Sequence, residues 1–104
     1  MTNFISTGST YWISDEEIQI LEKNATNGDK NSAFKLYQYH MFVSLDQDSE
    51  FKWLEIAAKN GHPIAQSNLA DLFFTQGDKE KAIFWAKKAY RNGAKLPDEL
   101  KILI

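Results

Sequence analysis

The chain has 104 residues, a 43% hydrophobic and 13% aromatic content, and a net charge of −2. That suffices for one domain with a modest core, leaves no cysteine for a disulfide or a thiolate metal site, and speaks against nucleic acid as the main partner. No run of about 18 apolar residues is present, so no segment is expected to insert into a membrane.

Residues 1–13 read as an N-terminal arm. They lack the basic and apolar regions of a signal peptide, and Ser6, Thr7, Gly8, Ser9 and Thr10 are polar and without a helical signal. Such a start fits a periplasmic protein whose signal was replaced by a methionine, and equally a cytoplasmic protein with a short arm. Ser14-Asp15-Glu16-Glu17 reads as a capping box that starts a first helix. Ile18, Leu21 and Ala25 form its stripe, and Asn27-Gly28 stops it. Asp29 caps a second helix, whose apolar face runs Ala33, Leu36, Tyr37, His40, Met41, with Val43-Ser44-Leu45 as the turn that follows. Asp46 or Asp48 caps a third, with Trp53, Ile56 and Ala57 inward and Gly61 at its end. His62-Pro63 opens a fourth, because proline's missing N–H goes unused in the first turn. Its stripe is Ala65, Leu69, Leu72 and Phe73, and Gly77 ends it. Asp78 caps a fifth, with Ala82, Trp85, Ala86 and Ala89 on one face, and Asn92-Gly93 stops it. Pro97-Asp98-Glu99 starts a short last helix, with Leu100, Leu103 and Ile104 folding back over the open end. Strand signals are absent, so the fold class is all-α.

These elements recur. Trp53 and Trp85 lie 32 residues apart, as do Ala57 and Ala89, Asn60-Gly61 and Asn92-Gly93, Ala33 and Ala65, and Asp46 and Asp78. A fixed period of this size marks stacked helical hairpins, none able to bury its apolar face alone. The expected architecture is a short α-solenoid of antiparallel hairpins over residues 14–104. It has repeats at about 29–61 and 62–93, a partial repeat at 14–28 and a C-terminal cap at 96–104. Trp53 and Trp85 are expected in equivalent buried places.

From Gly28 to Gly93 the pattern resembles the Sel1-like repeat family, which is tetratricopeptide-like. Ala65, Leu69-Ala70 and Phe73 match that family's first repeat helix; Asp78, Lys81-Ala82, Trp85, Lys88-Ala89 and Gly93 match its second. The earlier repeat carries Ala33, Tyr37, Asp46, Trp53, Ala57-Ala58 and Gly61, with Tyr37 where Leu is usual and Glu50 where Ala is usual. The resemblance implies an adaptor or binding scaffold. Small bacterial members include immunity proteins that neutralise a toxin or secreted effector, such as a phospholipase.

Catalytic chemistry finds little support. His40 sits on an apolar stripe and His62 at a helix entry, and no His-Glu-x-x-His, P-loop or nucleophile-elbow pattern appears. Asp15, Glu16 and Glu17 fit a helix start, where negative charge is favoured; Asp46 and Asp48 lack the glycine and terminal glutamate of a calcium loop. No catalytic, cofactor or metal residue is therefore expected, and a protein partner is. Residues 1–55 hold nine acids and four bases, a balance of −5, while residues 56–104 hold five acids and eight bases, a balance of +3. The bland reading is solvated faces; the sharper one is an acidic half that attracts a basic partner. Tyr39, Phe42 and Phe74 are aromatics off the main apolar stripe of their helices, and Asp71 is polar at the centre of an apolar helix. These four are the candidate partner-binding residues, with Tyr11 and Trp12 at the rim. The alternatives are packing between helices for the first set and an N-terminal staple for Tyr11-Trp12. Two functions follow: an immunity protein that binds one cognate effector, or an adaptor in a signalling or envelope complex.

Overall fold

A computed structural model describes residues 10–104. The described residues are all-helical: α1 (Asp15–Thr26), α2 (Lys30–Tyr39), a π-helical turn (His40–Ser44), α3 (Gln47–Lys59), α4 (Pro63–Thr75), α5 (Lys79–Arg91) and α6 (Asp98–Lys101). The expected arm at residues 1–13 lies mostly outside them. Of its last residues, Ile13 is 2% exposed. It directly precedes the N-cap Ser14, where an apolar residue can staple the helix entry against the position held by Ile18.

Each long helix begins on a side chain that accepts a backbone N–H, satisfying donors the helix cannot pair itself. Ser14 accepts from Glu17, Asp29 from Asn31 and Ser32, Asp46 from Ser49, and Asp78 from Lys81. His62 does the same through Nδ1, 3.2 Å from the Ala65 nitrogen. Only half of the expected capping box at Ser14 forms, because the Glu17 carboxylate pairs with Lys35 of α2 at 3.4 Å. The helix ends are also alike. At the end of α3, Gly61 (φ +97°) donates to Ala58 and His62 donates to Ala57, both at 3.0 Å. This six-to-one closure needs a left-handed residue, which glycine supplies without a Cβ clash. The same pair of bonds closes α5 at Gly93.

The turn after α2 differs from expectation. The helix does not stop before Val43; it widens into the π-helical turn His40–Ser44 and ends on Leu45, left-handed at φ 58°. His40 Nδ1 lies 2.7 Å from Ser44 Oγ, which also accepts the Asp46 N–H at 3.3 Å. Those side-chain bonds hold the wider turn closed.

Packing follows chain order: α1 lies on α2, α2 on α3, α3 on α4 and α4 on α5, with α6 against α4 and α5. The main core gathers Ala25, Ala33, Leu36, Tyr37, Trp53, Leu54, Ala57, Ala58, Ala65 and Leu69. A second, smaller cluster joins Ala70, Ala86 and Ala89 to Leu96 and Leu100. Fully buried alanines on facing helices let the backbones approach closely. The two tryptophans are not equivalent. Trp53 is 3% exposed, whereas Trp85 is only half-buried and bridges the two clusters, its ring edge-on to Phe84 at 5.1 Å. The cause is coverage: α3 lies between α2 and α4, while α5 has α4 on one side and only the four-residue α6 beyond it. Leu100 in that last element is fully buried, but Ile104, beyond its end, is 44% exposed and does not cover the end as expected.

Candidate functional site

The floor of the site follows from α2 and α3. Tyr37 is 6% exposed and Leu54 4%, each on the inward face of its helix. Above them a groove opens between the first turns of α3 and the exposed face of α4. One part, about 300 Å³, is lined by Tyr37, Glu50, Leu54, Asn68, Asp71, Leu72 and Thr75. A second part, about 360 Å³, continues along Gln47, Phe51 and Gln76 and shares Glu50, Leu54 and Leu72 with the first. Asn68 donates its amide to the Tyr37 hydroxyl at 3.3 Å, a bond between α4 and α2 across the groove floor. Burial pushes the Tyr37 hydroxyl pKa up, and the nearby Glu50 charge adds to that. The phenol is therefore a neutral hydrogen-bonding group. Thr75 turns its hydroxyl to the Asp71 carbonyl at 2.9 Å. Glu50 and Asp71 line the groove, and among the described residues no lysine or arginine stands in its walls. Its chemistry is an apolar floor, neutral hydrogen-bonding groups and two carboxylates.

The candidate residues fall in four places. Asp71 is exposed on the groove wall. Tyr11 and Phe42 come together at the N-terminal end, stacked at 4.5 Å, and Trp12 nearby in sequence is 62% exposed. The buried anchor of that approach is Ile13, not Tyr11 or Trp12. Tyr39 is half-buried with its ring edge against His40 at 5.1 Å. Phe74 packs onto the C-terminal cluster of Ala70, Ala86, Ala89, Leu96 and Leu100, so much of it serves the core. Glu50, Asn68 and Thr75 were not legible as site residues, because each is an ordinary polar residue of a helix. Tyr37 reads from sequence as core, which it is, but its hydroxyl also reaches the groove.

The two histidines are structural in placement. His62 caps α4 and stacks on Phe34 at 4.0 Å; burial, with the Lys30 charge beside it, holds its pKa below the usual value. Burial likewise lowers His40, against the opposing charges of Asp46 and Glu22. Among the described residues no group of three or more histidine, aspartate or glutamate side chains converges as a metal site, and no helix is long and apolar enough to cross a membrane.

The chain is similar to the uncharacterized protein YibG of Escherichia coli strain K12, 33% identical over 95 residues that cover 85% of this chain and 62% of that protein. It thus spans less than two thirds of that relative's length. No protein-family model matches the chain. No solved structure matches it.

Proposed function

We propose that the chain is a short, tetratricopeptide-like solenoid of the Sel1-like kind and works as a non-enzymatic protein-binding module. In this reading it is an immunity protein that binds and neutralises a cognate bacterial toxin or secreted effector. The observation that carries it is the groove between α3 and α4, which has an apolar floor, Glu50 and Asp71 on its walls and, among the described residues, no base lining it. Such a groove takes a basic side chain on an apolar stem, and a pair formed with loss of water discriminates strongly between partners. The packing of helices in chain order and the 32-residue recurrence support the hairpin stack. The acidic N-terminal half favours rapid encounter with a basic surface.

Co-expression with the product of the adjacent gene tests the proposal. The wild-type chain should protect cells from a toxic neighbour. Asp71→Lys combined with Glu50→Lys should stay folded and lose protection. Full protection by the folded double variant would refute the surface. A neighbour without toxicity would refute the immunity reading and leave the adaptor role.

A further inference from the structure

A second surface lies apart from the groove and carries the opposite charge. On α5 and the C-terminal segment, Lys87, Tyr90, Arg91, Lys101 and Ile104 line an open cleft of about 660 Å³. Tyr90 is 65% exposed and Ile104 44%, so the cleft presents apolar area to solvent between cations. Lys87 and Arg91 are four residues apart on one face of the helix, about 6 Å along the axis, and among the described residues neither has an ion-pair partner. Among the described residues Lys101 is engaged only by exposed Asp98 at 3.8 Å. A cluster of this kind suits an acidic segment that also carries an apolar anchor.

The chain contains such a segment at its other end. In α1, Asp15 and Glu16 are exposed and, among the described residues, unpaired, whereas Glu17 is taken by Lys35. One turn beyond Glu16, Ile20 is 60% exposed, an apolar side chain on the outer face of the helix. Acid and anchor are thus spaced by one turn on α1, as the bases are on α5. Lys23 is the one base on this helix, at its far end. The halves of the chain carry −5 and +3. We propose that the cleft of α5 and α6 is a docking site for α1 of a second copy of this chain. Ile20 would lie against Tyr90 and Ile104, and Asp15 and Glu16 against Lys87, Arg91 and Lys101. The contact is heterologous, head to tail, so it leaves a free end on each side and propagates into chains of molecules unless the rotation closes a ring.

Sedimentation of the purified chain provides the test. At a concentration of about 200 µM and a salt concentration of about 20 mM, where charges are weakly screened, the weight-average mass should exceed the 12.0 kDa monomer and rise with concentration. Raising salt to about 500 mM should weaken association by about tenfold or more. Lys87→Glu with Arg91→Glu should be monomeric, and so should Asp15→Lys with Glu16→Lys, because each makes the two ends alike in sign. Mixing the two variants should restore association, since each then offers what the other lacks. Tyr90→Ser, a neutral change at an exposed position, should also weaken association. A wild type that is monomeric throughout overturns the proposal. So do folded charge variants that associate like the wild type, or a mixture that stays monomeric.

Discussion

Trp53 and Trp85 occupy the same place in the repeat but not the same environment. Trp53→Ala removes a side chain that is 3% exposed and should cost about 3–5 kcal/mol. Trp85→Ala should cost less, about 2 kcal/mol, since its half-buried ring already meets water. Urea unfolding of the two variants measures the difference; equal losses would contradict the unequal coverage. His62 links residue chemistry to pH. Its neutral Nδ1 accepts the Ala65 N–H, and burial holds its folded pKa below the unfolded value. The unfolded chain therefore takes up a proton first as pH falls. The stabilisation is full above the unfolded value of about 6.5 and is lost as pH drops from there through the folded pKa. His40 shifts in the same direction and contributes alongside it. The urea midpoint should fall between about pH 7.5 and 5.5, above the range in which carboxylates titrate. The fall should be smaller in His62→Asn, which keeps a capping side chain. An equal fall in both proteins would remove His62 from the explanation.

At the scale of elements, the helix starts and stops were legible because capping is local chemistry. Ser14, Asp29, Asp46, His62 and Asp78 each satisfy N–H groups within three residues, and Gly28, Gly61, Gly77 and Gly93 all adopt positive φ at helix ends. The π-helical turn at His40–Ser44 was not legible, since it depends on a His40–Ser44 contact that competes with an ordinary turn. Nor was the role of Gln66. It is 2% exposed, donates to the Ala58 carbonyl at 3.0 Å and accepts from the Asn92 amide at 2.9 Å, tying α4 to the ends of α3 and α5. Phe34, 32 residues earlier, likewise reaches the turn after the next helix, stacking on His62. Periodicity reports apolar stripes and is blind to a polar side chain that bridges them. Gln66→Ala should cost about 2 kcal/mol, near 1 for each bond lost. A double-mutant cycle with Asn92→Ala should give a coupling of about 0.5–1 kcal/mol. Strict additivity would mean that the Gln66–Asn92 bond contributes nothing.

Across the whole molecule, charge and surface shape separate two faces. The groove of α3 and α4 is acidic, and the cleft of α5 and α6 is basic. Sequence indicated the polarity and one groove residue, Asp71, but dispersed the aromatic candidates. Tyr11 and Phe42 meet at the N-terminal end, while Phe74 is drawn into the C-terminal cluster because Leu96 and Leu100 pack there. Helical spacing assigns a residue to a face of its own helix, whereas a later segment decides what covers that face. The measurement that bears most directly on the proposed function is the affinity of the purified chain for the product of the adjacent gene, by calorimetry at fixed salt. Glu50→Lys with Asp71→Lys places two bases in the groove and should weaken binding by about a hundredfold or more, with folding intact. Unchanged affinity in the folded variant would contradict the assignment of the α3–α4 groove as the partner-binding site.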